Sequence, residues 1–211
     1  MNNSSLFLIN KDLHSLLLPK KAFVDTNAVL EIFLNRKHKN DWLDFFVRGA
    51  EEGTEFIYTL HSLGEIRNVL NVQVHKKRAD ELGFTGFRGT PAWKKLENST
   101  KYNFSKEVTV EVSKVKQFLD SAGFTFKTVE NDESMFELEN LYAEKYDLGP
   151  GDATIAAQMD KLGVNSLCSN DAGFLKTDNL NVYIPTKKAW ELAGSRSDEI
   201  KAYKSLLTLK D

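Results

Sequence analysis

The chain has 211 residues, 41% of them hydrophobic and 27% charged, with a formal net charge of −2. That is enough apolar material for one respectable core, so a single domain with room for a large insertion is expected. The lone cysteine, Cys168, excludes an internal disulfide and suits a reducing compartment. Neither Leu6 to Ile9 nor Leu16 to Leu18 is long enough to span a membrane, and no signal-peptide pattern is evident. A soluble cytoplasmic protein is therefore expected.

In chain order, the apolar run Ala22, Phe23, Val24 predicts a short strand, followed by an amphipathic helix carrying Val29, Leu30, Ile32 and Phe33. A second helix is predicted from Asp41 to Ala50. A strand from Glu55 to Leu60 leads into a helix starting near Ser62 and bearing Leu63, Ile66, Val69 and Leu70. Gly83, Gly86 and Gly89 then recur every third residue among Phe84, Phe87 and Arg88. That spacing suits neither helix nor strand, so residues 83–104 read as a loop or lid.

A helix from Ser105 to about Ala122, a strand from Phe124 to Val129 and a helix from about Ser134 to Lys145 follow. Gly149, Pro150 and Gly151 break the chain before Asp152, whose helix carries Ile155, Ala156, Met159 and Leu162. Strands at 164–168 and Val182 to Ile184, then a Lys-rich helical region, complete the pattern. Strands alternating with helices imply parallel βαβ units and an α/β sandwich.

Four acids stand where the chain leaves a strand or enters a helix: Asp25, Glu65, Asp152 and Asp171. In an open parallel sheet the ligand crevice lies outside the carboxyl ends of the strands, so acids this far apart in sequence can meet there. Each also has an ordinary explanation. Thr26 or Asn27 could be an N-cap, and Ser62 with Glu65 matches a capping box. Asp152 could complement the positive end of its helix, and Asp171, in Ser169-Asn170-Asp171, could be a turn residue. Those explanations do not account for all four falling on one edge of one sheet.

The series Val-Asp-Thr-Asn at 24–27, Ser-x-x-Glu at 62–65, Gly-Asp-Ala-x-Ile-Ala-Ala at 151–157 and Ser-Asn-Asp-x-x-Phe at 169–174 resembles the PIN-domain ribonucleases. The similarity in order and interval covers about residues 20–72 and 124–186. It implies a three-layer α/β/α sandwich with a central parallel sheet. It also implies a nuclease that cuts single-stranded RNA with Mg²⁺ or Mn²⁺. The family's acidic positions fall on Asp25, Glu65, Asp152 and Asp171, and its polar helper positions on Thr26, Asn27 and Asn170. Compared with the short VapC-type toxins, this chain carries an N-terminal extension (1–20) and an inserted segment (about 73–123) within one PIN-like domain of residues 1–211. The resemblance allows an antitoxin partner and a homodimer.

Four crowded carboxylates would repel one another by several kcal/mol, at about 4 kcal/mol per pair ~4 Å apart in an effective dielectric near 20. A divalent cation relieves that repulsion, and hard oxygen ligands without a nearby Cys and His set favour Mg²⁺ or Mn²⁺ over Zn²⁺. Residues 71–106 carry eight Lys or Arg against three Asp or Glu, net +5, leaving −7 for the rest. Six of these cations, Lys76, Lys77, Arg78, Arg88, Lys94 and Lys95, are mixed with aromatics along the segment. Cations on phosphates and rings on bases hold single-stranded nucleic acid; the alternative is a solvated helix face and aromatics tucked into the core.

Other chemistries fit less well. A dehalogenase-type phosphatase needs a second Asp two residues after the first, where Asn27 stands. A phosphate-binding Gly-x-x-x-x-Gly-Lys loop is absent. His61 adjoins the expected site, but no triad partner accompanies it. The competing reading from another class is a non-catalytic or partner-inhibited PIN-like scaffold that binds RNA.

Overall fold

A computed structural model describes residues 4–9, 16–86 and 89–185. Arg88 and the Lys-rich region expected near the C-terminus lie outside them. The described residues fall into two compact units, one drawn from those between 4 and 61 and between 123 and 185, the other from those between 62 and 122.

The first unit is built on six strands: β1 (Ser5–Leu8), β2 (Lys21–Val24), β3 (Glu55–Thr59), β4 (Thr125–Lys127), β5 (Ser166–Cys168) and β6 (Asn181–Ile184). They lie in the order β1-β6-β5-β2-β3-β4, and every neighbouring pair is parallel. Parallel strands carry helices over both faces and are therefore apolar on both. The pleat shows this directly. Phe23, Ile57, Leu167 and Val182 share one core with Ile155 and Met159 of the helix α7 (Pro150–Lys161). Phe7, Phe56 and Tyr183, pointing the other way, join a chain of ring contacts with Phe45 and Phe46 of the helix α2 (Lys39–Glu51). With α7 on one face and α2 on the other, the unit has the three expected layers.

The helix α1 (Thr26–Phe33) follows β2, and α6 (Glu133–Tyr146) packs on α7. Asp132 caps α6 by accepting the Met135 N–H at 2.9 Å, and Pro150 opens α7 behind Gly149, as proline does where its missing N–H costs nothing.

Three features depart from the sequence reading. The extension contributes an edge strand: β1 pairs with β6 from Ser5↔Asn181 to Leu8↔Ile184, its apolar Leu6 and Phe7 finding burial there. The helix α3 (Leu60–Glu81) starts directly on the end of β3. Ser62 is therefore inside its first turn and buried, not an N-cap, and the capping box does not form. Last, the segment 83–104 is not all loop, because Ala92–Glu97 forms the helix α4, with Leu96 fully buried.

The second unit consists of α3 from Ser62 onward, α4 and α5 (Ser105–Ser121). α3 buries Ile66, Leu70 and Val74, spaced one turn apart. Polar contacts tie its helices together. Arg78 of α3 reaches Glu107 of α5 at 2.9 Å, and Asn71 donates to Glu97 of α4 at 2.8 Å.

Candidate functional site

β2 is flanked by β3 on one side and β5 on the other. The chain lays β3 and β4 outward on the first side, then returns to place β5 and β6 on the second, so the strand order reverses between β2 and β5. Neighbouring connections leave to opposite faces at such a point and open a crevice at the carboxyl ends of the strands. Asp25 immediately follows β2, and Ser169, Asn170 and Asp171 immediately follow β5. The two turns are joined at the base by the Asp25 N–H, which donates to the Cys168 carbonyl at 3.0 Å.

Asp25 occupies the N-cap position of α1, with extended backbone, yet its side chain makes no cap hydrogen bond. It turns across the crevice instead. Its Oδ2 accepts from the Ser169 hydroxyl at 2.6 Å and from Asn27 Nδ2 at 2.6 Å. Ser169 Oγ in turn accepts from the Asp171 N–H at 2.9 Å and from Asn27 Nδ2 at 3.2 Å. Asn27 Oδ1 accepts the Asn170 N–H at 2.8 Å. Asp25 is only 6% exposed, and a buried carboxylate needs such donors. The network ties the acid after β2 to the acid after β5 through one serine.

Asp171 keeps part of its ordinary role. It caps a 3-10 turn, Ala172–Lys176, with Oδ1 accepting from the Gly173 N–H at 2.7 Å. Its side chain is otherwise exposed. Asp152 stands in the first turn of α7, half-buried, and Thr26 is buried at the start of α1. Glu65 lies in α3 within the second unit.

Of the four acids, Asp25 and Asp171 are the two that the hydrogen bonds of Ser169 link. Among the described residues no three His, Cys, Asp or Glu side chains converge closely enough to hold a metal ion. The donor chemistry of the Asp25 and Asp171 pair nonetheless fits a hard cation. Mg²⁺ retains several waters and is held by one or two carboxylates with substrate phosphates. Cys168 offers no thiolate, since burial, and then the charge of Asp25, pushes its thiol well above the usual range.

Sequence reasoning did not find Trp42. This α2 residue is fully buried, and its indole N–H donates to Asn170 Oδ1 at 3.0 Å across 128 positions. No local pattern announces such a pair. A cavity of about 530 Å³ lined by Lys21, Ser166 and Asn181 opens at the amino ends of the strands, the edge opposite the acids.

The basic segment looks different in three dimensions. Arg78 is held by Glu81 at 2.7 Å and Glu107 at 2.9 Å, so its charge is already compensated, and these carboxylates raise the pKa of its guanidinium. Lys77 approaches Glu81 at 4.0 Å, and Lys95 donates to the Thr85 carbonyl at 3.2 Å. Lys76 and Lys94 are exposed and make no ion pair among the described residues. Phe104 packs edge-on to His75, and Tyr102 lies beside Phe104 and Phe84.

An all-parallel sandwich with acids at its switch point defines an α/β protein built for polar chemistry at the strand ends. The particular family follows from a family model: the PIN domain matches residues 22–180, and the chain belongs to that family. PIN domains are generally nucleases and generally use divalent metal ions. The chain is also similar to the crystal structure of VapBC2 from Rickettsia felis bound to a DNA fragment from their promoter. That similarity has a TM-score of 0.47 and 12% identity, covering 77% of this chain and 96% of that one. No curated protein matches the chain.

Proposed function

We propose that the protein is a Mg²⁺- or Mn²⁺-dependent endoribonuclease that hydrolyses phosphodiester bonds of single-stranded RNA. The observation that carries this reading is the diversion of Asp25. A residue at an N-cap gives up the cap bond and is held by Ser169 and Asn27 beside the turn bearing Asp171. A carboxylate held by two donors and aimed across a switch point is arranged for a ligand, since a purely structural Asp at that position would cap its helix.

Asp25, Asp171 and Asp152 would hold the cation, with Thr26, Asn27 and Asn170 supporting them. When bound, the cation supplies activation of water and neutralisation of charge on the leaving oxygen. The chain does the rest. Ser169 fixes the direction of the Asp25 carboxylate and, through the Asp171 N–H, the start of the last turn. Glu65 enters this proposal from the sequence pattern alone, as an acid whose replacement should lower cleavage.

Purified protein should cut an unstructured RNA oligonucleotide with Mg²⁺ or Mn²⁺ and stop with EDTA. Asp25→Asn and Asp152→Asn should abolish cleavage while keeping the fold, as read by circular dichroism. Variants cutting as well as the parent would remove these acids from the chemistry. An antitoxin partner is the finest part of the proposal. Co-expression of a small neighbouring open reading frame should then relieve growth inhibition by this chain.

A further inference from the structure

We infer that the side-chain amide of Asn170 is a phosphate-contacting donor and that Trp42 is the residue that positions it. The inference rests on the nuclease reading above. An indole nitrogen can only donate, so the group facing Trp42 Nε1 at 3.0 Å has to be the amide oxygen of Asn170. That settles which way the amide lies. Its NH₂ half is then turned away from Trp42, and Nδ2 makes no hydrogen bond among the described residues.

The backbone of Asn170 is fixed as well, because its N–H is taken by Asn27 Oδ1 at 2.8 Å. Both constraints act on a half-buried residue that lies between Ser169 and Asp171, on the turn joined to Asp25. Beside the acids, a neutral group with two donors can approach a phosphate oxygen without adding negative charge.

Trp42 is well suited to its part. It is fully buried, stacked on Phe46 with ring centroids 5.3 Å apart and edge-on to Phe45 at 5.9 Å. A ring clamped on two sides cannot follow a moving partner, so it holds the amide in one orientation. Left to itself, an Asn amide rotates about a broad torsion and would present oxygen as readily as nitrogen. Oxygen facing a phosphate would be repulsive.

The test is a double-mutant cycle on binding of a short single-stranded RNA, read by fluorescence anisotropy in EDTA and by KM and kcat in Mn²⁺. Asn170→Ala should weaken binding about tenfold, the value of one hydrogen bond to a charged group, and raise KM more than it lowers kcat. Trp42→Phe keeps an aromatic ring on Phe45 and Phe46 but removes the N–H together with the five-membered half of the indole. It should weaken binding in the parent and have no further effect in the Asn170→Ala background, with melting temperatures recorded for every variant. Equal effects of Trp42→Phe in both backgrounds would make it a packing residue and overturn the positioning role. Unaltered RNA binding in Asn170→Ala would overturn the phosphate contact while leaving the nuclease reading intact. A parent protein that neither binds nor cuts RNA would overturn both.

Discussion

Asp25 and Ser169 stand 144 positions apart, and the serine hydroxyl donates to the aspartate Oδ2 at 2.6 Å. Both side chains are buried, so the bond is sheltered from water, and a donor lost from a buried carboxylate is not replaced. Ser169→Ala should lower stability by about 2 kcal/mol, the range for hydrogen bonds to charged groups, measured by urea denaturation. It should also lower RNA cleavage, because Asp25 loses direction. Unchanged stability and activity together would mean that Asn27 suffices to hold the carboxylate.

Next to that pair, Cys168 is fully buried, and its thiol is pushed well above its usual value by burial and then by the charge of Asp25. Ellman's reagent at mildly alkaline pH should therefore fail to titrate it until the protein unfolds. The same shift sets a pH dependence. A group whose pKa is raised on folding contributes stability that is complete below the unfolded value and is lost as pH rises. Tyr183, also raised by burial, acts in the same direction. Melting temperature should fall from about pH 9 upward, and a flat profile there would contradict both shifts.

Much of this site was legible in the sequence because its parts are local. Asp25 sits at a strand-to-helix turn and Asp171 two residues after Ser169, and such positions follow from apolar runs ending in polar residues. β2, β3, β6 and the helices α1, α2, α5, α6 and α7 follow from the same periodicities. What was not legible depends on distant partners. β1 is four residues whose strand character comes from pairing with β6 at the far end of the chain. Trp42 reads as any core tryptophan until Asn170 is placed beside it. Ser62 and Glu65 fit a capping box by spacing, yet α3 begins at Leu60 with no intervening turn, and continuity of the backbone overrides the motif. Arg78 counted as an available cation until Glu107, on another helix, was brought to it.

Two glycines in helices should respond oppositely to alanine. A Cβ at Gly49 of α2 would lie 2.4 Å from Phe56 Cζ, and that ring cannot yield, being packed against Phe45, Phe46 and Phe124. Gly49→Ala should therefore destabilise by about 1–3 kcal/mol. At Gly64 of α3 an added methyl would meet nothing within 4 Å, and the backbone there has no special conformation. Gly64→Ala should stabilise by about 0.5–1 kcal/mol through the unfolded chain. Urea midpoints of the two variants, moving in the same direction, would contradict one of these assignments.

The cations of the second unit should divide according to their partners. Lys76 and Lys94 are exposed without ion pairs among the described residues, and replacing both by Ala should weaken RNA binding. The slope of log affinity against log salt should flatten by up to ~0.7 for each phosphate that is no longer neutralised. Arg78→Ala should leave the slope nearly unchanged, because Glu81 and Glu107 already compensate that charge. Its effect should appear in thermal stability instead, through the broken link between α3 and α5. A salt slope that responds to Arg78 and not to the two lysines would reverse the assignment.

Asp171 offers a way to separate repulsion from ligation. Its Oδ1 accepts the Gly173 N–H at 2.7 Å, and an asparagine there retains that oxygen, so Asp171→Asn preserves the 3-10 cap while removing the charge. Without metal, the charge shares a crevice with Asp25, and like charges held together destabilise the compact state. The variant should therefore melt higher than the parent in EDTA. Excess Mn²⁺ stabilises whichever form binds it, in proportion to the logarithm of its concentration over the dissociation constant. Losing a carboxylate weakens binding, so the gain from Mn²⁺ should shrink in the variant. Both shifts have to appear together, because relief of repulsion alone would leave the metal gain intact. A variant that melts lower in EDTA and gains as much from Mn²⁺ as the parent would make Asp171 a turn residue, and the cation would have to be held by other groups.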